Sequence, residues 1–284
     1  MRLHERLAAA REQLVRAGIQ PTEAAIDVDL YARTILKWDR ARLLLHHQSA
    51  VPETLEPQFS DWLARRERFE PSAYIVGERE FWGLDFFVTP AVLVPRPETE
   101  LVVEATAAIA RGLRGQNLRI ADIGTGSGCI AVSVAHEIPH CTVIATDVSS
   151  EALAVAQRNA ERHAVDDRIR FVCTSHLDGV DGEFDVIAAN PPYVRTVDKR
   201  GLSADVLQEP HVALFGGASG LEHIDAVLAA ASHTLRPGGW LVMEFGFGQE
   251  DDVRELVSRR ANLSVDHTRA DLQGLARTAI MQRR

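Results

Sequence analysis

The stretch of residues 118–128, with the sequence LRIADIGTGSG, decides the fold of this chain. Its first half is an apolar run with the length of a buried strand. Three glycines follow at alternate positions, and residues 129–138, CIAVSVAHEI, then have the length and apolar content of a helix. Glycine permits a sharp turn and lets a ligand approach the backbone closely. The stretch therefore predicts a strand, a tight loop that a ligand can reach, and a helix.

The same alternation of strand and helix continues toward the C-terminus. Strands are predicted at residues 141–147, 168–174, 184–190 and 240–246, and helices at 150–163 and 221–235. Residues 237–239, Pro-Gly-Gly, predict a tight turn before the 240–246 strand. Two further strand-like runs, 263–268 and 276–282, are joined by a short loop that permits an antiparallel edge. Strands that alternate with helices specify a doubly wound sheet, so we expect an α/β, Rossmann-like fold of seven strands with the last one antiparallel.

The region before residue 100 differs in character. Residues 1–70 carry apolar residues at helical spacing and predict a small helical domain, whose charged faces are either solvated surface or a docking surface. In residues 71–100, aromatic residues are interleaved with glycines and three prolines follow, which predicts a hairpin and a rigid connector. A helix is predicted at 98–111. We therefore expect a helical domain at 1–70, a hairpin and connector at 71–100, and a domain at 101–284 that contains the sheet.

The composition excludes several classes of protein. The net charge of −9 disfavours a protein that wraps duplex nucleic acid, because cationic contacts to phosphate supply most of that affinity. Three scattered cysteines form no CxxC pair, so we expect neither a disulfide framework nor a metal site. The N-terminal residues lack the apolar core of a signal peptide, and no run approaches the roughly 20 apolar residues of a membrane helix. We expect a cytoplasmic protein that contacts neither membrane nor nucleic acid directly.

The glycine-rich loop predicts a site for a nucleoside-bearing cofactor. Asp147 ends the second strand, 19 residues beyond Gly128, where a carboxylate can accept hydrogen bonds from ribose hydroxyls. A dinucleotide site has the pattern G-x-G-x-x-G, but the position three residues after Gly126 is Cys129. The spacing G-x-G-x-G instead favours S-adenosylmethionine, which has no phosphates to cradle. The predicted cofactor-binding residues of this segment are Asp122, Gly124, Thr125, Gly126, Ser127, Gly128 and Asp147. Asp122 has two possible roles: it steers the cofactor's ammonium group, or it fixes the loop as a buried acceptor.

The predicted catalytic motif is Asn190-Pro191-Pro192-Tyr193, which follows the 184–189 strand. Ligands in such sheets bind beyond the carboxyl ends of the strands, so this motif is expected to face the cofactor. A planar NH₂ group offers two N–H donors. The side-chain oxygen of Asn190 and the backbone carbonyl of Pro191 provide acceptors for them. Neither proline presents a competing N–H, and the Tyr193 ring provides a surface for stacking a flat group.

These segments together resemble the HemK/PrmC family, the N5-glutamine methyltransferases of peptide-chain release factors. The resemblance extends over nearly the whole chain and includes residues 74–77, 81–83, 95–100, 122–128, 190–193, 209–210, 213–217 and 237–239. It implies a class I methyltransferase sheet, S-adenosyl-L-methionine as methyl donor and S-adenosyl-L-homocysteine as product. It also implies that Asn190 binds the glutamine of the Gly-Gly-Gln loop of class I release factors. The N-terminal domain would dock that partner, and Arg96 and Glu98 would line the cofactor pocket. We separately expect a monomer.

Two segments depart from the family's pattern. The family commonly has an acidic residue after the third strand, near the adenine, where this chain has Thr174-Ser-His176-Leu177. We assign His176 and Leu177 to the cofactor site, together with Asn190. Residues 271–277 lack the family's usual Gly-Arg-Asp-Arg ending. These departures keep three alternatives open: an N-methyltransferase for small amines, one for an exocyclic amino group of nucleic acid, and a cofactor-binding protein without catalysis.

Overall fold

The computed structural model describes residues 1–113 and 117–284, which divide into two compact units. The N-terminal unit contains Met1–Gly77 together with Ser203–Gln208. The sheet unit contains Glu78–Leu202 and Glu209–Arg284. The boundaries at residues 70 and 100 stay a prediction, since these compact units describe packing rather than function.

The N-terminal unit is helical. Its α-helices are α1 (Leu3–Arg16), α2 (Pro21–Leu36), α3 (Arg40–Leu45), α4 (Gln58–Arg66) and α5 (Ser72–Val76). Leu7, Ala10 and Leu14 recur at spacings of three and four, so they share the buried face of α1, and they join a core with side chains of α2 and α4. The guanidinium of Arg66 is buried in this unit and pairs with the carboxylates of Asp27, Glu23 and Asp205. Asp205 belongs to the segment 203–208, so this ion cluster ties that segment to the helices.

The sheet unit contains a two-stranded hairpin, a seven-stranded sheet and six α-helices among the described residues. The elements are β1 (Glu78–Phe81), β2 (Leu84–Phe87), α6 (Glu100–Gly112), β3 (Leu118–Ile123), α7 (Cys129–Glu137), β4 (Cys141–Asp147), α8 (Ser150–Arg162), β5 (Ile169–Cys173), β6 (Phe184–Ala189), α9 (His211–Leu214), α10 (Glu222–Thr234), β7 (Leu235–Glu244), α11 (Glu250–Ser258), β8 (Leu263–Ala270) and β9 (Ala276–Arg283). The strand order in the large sheet is β5-β4-β3-β6-β7-β9-β8. Strands β3 to β7 are parallel, and β9 is antiparallel to both of its neighbours. The predicted Rossmann-like sheet of seven strands is therefore confirmed.

Both faces of the sheet are buried, which explains why its central strands are almost wholly apolar. Alternate residues of a strand point to opposite faces. Ile120 and Val186 pack in one core with residues of α6 and α7, whereas Ala121 and Ile187 pack in a second core with residues of α10 and α11. Because each strand residue faces one of these two cores, the strand register is strongly specified.

The strand order places two loops side by side at one edge of the sheet. β3 pairs with β4 on one side and with β6 on the other, so successive connections depart in opposite directions from β3. The register sets Ile123 beside both Thr146 and Ala189. The residues that follow, Gly124 and Asn190, therefore leave neighbouring strand ends. Such a switch point is where doubly wound sheets form a ligand crevice.

Two local predictions need correction. Residues 237–239 do not precede the strand as a turn, because β7 begins at Leu235 and these residues form a bulge where the register against β6 shifts. Gly238 has φ +78°, a conformation that favours glycine. The predicted 98–111 helix begins instead as a 3₁₀ turn at Pro97–Thr99 and continues as α6.

The hairpin of β1 and β2 is held against α8 by one buried side chain. Trp82 and Gly83 both have positive φ, as a two-residue hairpin turn requires. Asn159 of α8 accepts a hydrogen bond from the Phe87 N–H and donates to the Phe87 carbonyl. The same amide donates to the Ser127 carbonyl at 2.8 Å. Asn159 thus connects the hairpin to the glycine-rich loop.

Within residues 1–113 and 117–284, no helix combines the length and the apolar character needed to cross a lipid bilayer.

Candidate active site

A cleft of about 1040 Å³, including its open mouth, lies at the carboxyl ends of β3, β4 and β6. Its walls come from the glycine-rich loop, the end of β4, the segment after β5, the segment after β6, and residues 91–96 of the connector. The sheet unit supplies all of these residues. Of the predicted site residues, those that line the cleft are Gly124, Thr125, Gly126, Ser127, Asp147, His176, Asn190, Pro191 and Pro192.

The glycine-rich loop is held in shape by backbone hydrogen bonds. Gly124 and Gly126 have φ of +73° and +55°, which side chains rarely adopt. The N–H groups of Gly124 and Thr125 both donate to the Thr146 carbonyl, and the Gly126 N–H donates to Asp147 Oδ2 at 2.9 Å. Ser149 N–H donates to the other oxygen of Asp147. The Asp147 carboxylate is therefore fixed at the cleft wall, and each of its oxygens retains a lone pair for a ligand.

Asp122 lies beneath the loop rather than on the cleft wall. It is 1% exposed, and its Oδ2 accepts hydrogen bonds from Thr125 Oγ1 at 2.6 Å and from the Ala131 N–H at 3.1 Å. Its Oδ1 has no partner among the residues described. Burial raises the pKa of Asp122 to about 7. Of the two interpretations from the sequence, this geometry favours a buried acceptor that fixes the loop.

Three other predicted residues lie outside the cleft wall. Gly128 is the N-cap of α7 with φ +81°, and a Cβ there would lie 3.0 Å from the Ala156 Cβ, so glycine is needed for close packing of α7 on α8. Leu177 is buried in the core that includes α10. The Tyr193 ring packs against that same core, and its hydroxyl donates to Glu244. Direct contact of these three residues with a ligand is a prediction that the cleft geometry does not favour.

The segment after β5 supplies a pair of histidines to the cleft. His176 has φ +50°, and its Nδ1 lies 2.9 Å from the Ser175 hydroxyl. Its ring centroid is 5.9 Å from that of His223 on α10. Burial, and then the neighbouring His223, lower the pKa of His176. His176 is therefore a neutral, partly buried ring where the resemblance places the adenine end of the cofactor. No sequence pattern indicated His223 as a site residue.

Asn190 stands at the end of β6, and the direction of its amide is determined by a neighbouring hydroxyl. Its Nδ2 donates to Thr99 Oγ1 at 2.9 Å. In the described part of the chain, no donor reaches its Oδ1, and none reaches the Pro191 carbonyl. Asn190 lines the cleft together with both prolines. The site therefore offers two oxygen acceptors at the end of β6, the arrangement that the motif predicted.

Thr99 and Glu244 were missed as site residues by the sequence analysis. The hydroxyl of Thr99 donates to Glu244 Oε2 at 2.7 Å, and Tyr193 donates to Glu244 Oε1 at 3.1 Å. Glu244 is 1% exposed, and burial raises its pKa to about 7. Burial, with the nearby charge of Glu244, also raises the pKa of Tyr193. Thr99 lies in the 95–100 segment that the family resemblance covers, but only tertiary contact brings Thr99 and Glu244 together beside Asn190.

Arg96 lies where the resemblance places it, and it also forms an ion pair. It lines the cleft, and its guanidinium pairs with the Glu209 carboxylate at 2.5 Å. Glu209 is buried and also accepts the N–H of Val94 at 2.9 Å. The pair fixes the connector as a wall of the cleft. Glu98, which the resemblance placed in the same wall, is not among the residues that line it.

Comparison with known proteins agrees with this geometry. The Methyltransferase small domain family matches residues 99–259, and the PrmC N-terminal domain family matches residues 5–77. A release factor glutamine methyltransferase from Nitratidesulfovibrio vulgaris is 40% identical over 96% of this chain and 92% of its own length. The chain belongs to the release factor glutamine methyltransferase family. A second member, from Moorella thermoacetica, is 37% identical over 100% of this chain and 99% of its own length.

Solved structures support the fold of the sheet unit. A Thermus thermophilus 16S rRNA methyltransferase, in complex with AdoMet and guanosine, superposes with a TM-score of 0.52. It is 18% identical, and the match covers 73% of this chain and 50% of that protein. At this identity the likeness shows the fold alone. The resemblance to the release factor glutamine methyltransferase family, predicted from the sequence, is confirmed. The predicted class I methyltransferase sheet is also confirmed.

Proposed function

We propose that this chain transfers a methyl group from S-adenosyl-L-methionine to the side-chain amide nitrogen, N5, of a glutamine in a class I release factor. The glutamine is that of the Gly-Gly-Gln loop. The observation that carries the proposal is the direction of the Asn190 amide. With its Nδ2 bound to Thr99, its Oδ1 is left as an acceptor beside the Pro191 carbonyl.

The charges around the glycine-rich loop fit this cofactor better than a dinucleotide. Residues 122–128 contain no lysine or arginine, and two carboxylates, Asp122 and Asp147, flank the loop. A pyrophosphate would meet like charge there, whereas the ammonium and sulfonium groups of S-adenosyl-L-methionine would meet opposite charge. Asp147 offers the lone pairs that a ribose diol needs.

Asn190 and Pro191 make a poor nucleophile usable. An amide nitrogen is weakly nucleophilic because its lone pair is delocalised into the carbonyl. When bound, the cofactor supplies a methyl group made electrophilic by its sulfonium. Asn190 Oδ1 and the Pro191 carbonyl each accept one N–H of the glutamine amide, which fixes the nitrogen's direction of attack. The same two oxygens stabilise the positive charge that the nitrogen gains, and one N–H proton then leaves to water.

The remaining expectations complete this proposal. We infer that the N-terminal unit docks the release factor and that the enzyme acts as a monomer. We also infer a cytoplasmic location, because release factors act on the ribosome. Size-exclusion chromatography with light scattering, with and without the factor, measures both the oligomeric state and the docking.

A labelling experiment tests the proposed function. The full chain is incubated with methyl-labelled S-adenosyl-L-methionine and a class I release factor, the same factor with the Gly-Gly-Gln glutamine replaced, nucleic acid, or small amines. We expect label on the intact factor alone. Asn190→Ala should lower kcat roughly 100-fold or more, while the Kd for the cofactor changes far less. Label on small amines or nucleic acid, with none on the factor, would contradict the proposed acceptor.

A further inference from the structure

A chain of hydrogen bonds connects a buried carboxylate to the substrate-facing amide. Asn190 Nδ2 donates to Thr99 Oγ1, which donates to Glu244 Oε2, while Tyr193 donates to Glu244 Oε1. The three donor–acceptor distances are 2.9, 2.7 and 3.1 Å. These residues come from the turn before α6, the end of β6 and the end of β7. Glu244 is not among the residues that line the cleft.

We infer that Glu244, acting through Thr99, is a positioning residue that keeps the oxygen of the Asn190 amide directed at the substrate. The inference rests on the proposed function, because it assumes that Asn190 must accept a hydrogen bond from an amide NH₂. Glu244 itself does not touch the reacting atoms.

The direction of the Asn190 amide has to be imposed from outside. The oxygen and the NH₂ of an asparagine side chain are nearly the same size, so only hydrogen-bond partners distinguish the two orientations. A threonine hydroxyl has a single proton. Ionised Glu244 has only acceptors, so Thr99 donates that proton to it and can only accept from Asn190. The amide NH₂ is therefore held toward Thr99, and the oxygen is left for the substrate.

This arrangement makes the ionisation of Glu244 important. A proton on Oε2 turns that oxygen into a donor to Thr99, so the Thr99 proton is no longer held there and the Asn190 amide can turn. Burial raises the pKa of Glu244 to about 7, and the negative charge of Glu98 adds to that rise. The hydrogen bonds from Thr99 and Tyr193 and the positive charge of Arg277 lower the pKa and so oppose the rise. Arg277 also forms an ion pair with Asp271. The thiol of Cys129 is close enough to Glu244 that the charge of Glu244 helps to raise the pKa of Cys129. The positioning therefore weakens progressively as the pH falls through about 7.

The test compares four single variants of the full chain. Thr99→Val removes the hydroxyl while keeping the shape, and kcat should fall about 10- to 100-fold, as for other small misplacements of a reacting group. Thr99→Ser should restore most of that loss. Glu244→Gln can no longer ionise, so the decline of kcat below about pH 7 should disappear. Thr106→Val is the matched control, because Thr106 is buried on α6 and its hydroxyl has no partner among the residues described.

Cofactor binding and kinetics separate positioning from a structural effect. We expect the KM for the factor and the Kd for the cofactor to stay within about threefold in Thr99→Val, while kcat falls. The inference is overturned if Thr99→Val keeps full kcat, or if wild type and Glu244→Gln share one pH profile between 6 and 8. Wild-type chain that never labels the release factor would instead refute the proposed function itself, and the inference with it.

Discussion

Gly128→Ala provides a strong test of how the glycine-rich loop is built. Gly128 has φ +81°, where an L-residue costs roughly 1–2 kcal/mol. A Cβ would also lie 3.0 Å from the Ala156 Cβ and 3.1 Å from its Cα. Ala156 lies within α8, which packs against α7, so its Cα and Cβ cannot move aside as a flexible side chain could. The resulting overpacking adds roughly 1–3 kcal/mol to the destabilisation. We therefore expect the free energy of unfolding to fall by roughly 2–5 kcal/mol.

The matched control for this variant is Gly179→Ala. Gly179 also has positive φ, at +69°, but a Cβ there has no atom within 4 Å. Its loss should be only the conformational part, roughly 1–2 kcal/mol. Urea unfolding followed by circular dichroism gives both values. Equal losses in the two variants would refute the packing argument and leave only the backbone conformation as the reason for glycine at position 128.

Three further changes test other parts of the structure. Burial raises the pKa of Asp122 and of Glu244 to about 7, so each carboxyl stabilises the fold below about pH 4, and this contribution is lost as the pH rises through 7. Asp122→Asn should therefore flatten the fall in thermal midpoint between about pH 4 and 7; an unchanged slope contradicts this. Arg66→Met leaves the buried Asp27 without its cation, and denaturant unfolding should show a loss of roughly 3–5 kcal/mol. Asn159→Ala removes three hydrogen bonds at the hairpin and the Ser127 carbonyl, so calorimetry should show weaker cofactor binding as well as lower stability. Tight cofactor binding in that variant would mean that the loop holds its shape without α8.

The loop and the catalytic motif were found from the sequence because their chemistry is local. Gly124, Gly126 and Asn190 follow strands whose apolar runs are easily recognised. The positive φ values of the glycines could be expected from residue type alone. Once the parallel order is given, strand ends must meet at one edge of the sheet, so the proximity of Gly124 and Asn190 also follows. The position of Pro191 and Pro192 on the cleft wall needs no further information.

The side chains that support this motif could not be found in the same way. Thr99 and Glu244 are 145 residues apart, and the hydrogen bond between them depends on the packing of α6 beside β7. Threonine before a helix and glutamate at a strand end are both common, so neither residue type indicates a contact. His223 joins the cleft only because α10 passes over the segment after β5.

Sequence alone determined the class of this protein: the doubly wound sheet, the glycine-rich loop and the family to which the chain belongs. The sheet and the loop depend on hydrophobic periodicity and on backbone preferences, which act within a few residues. The family follows instead from the resemblance of motifs such as residues 95–100 and 190–193. Only the tertiary structure decided which residues face the cleft. It directed Asp122, Leu177 and Tyr193 inward, and it brought Thr99 between Asn190 and Glu244. The physical reason is that buried polar atoms must find partners, and which partners are in reach depends on how distant segments pack.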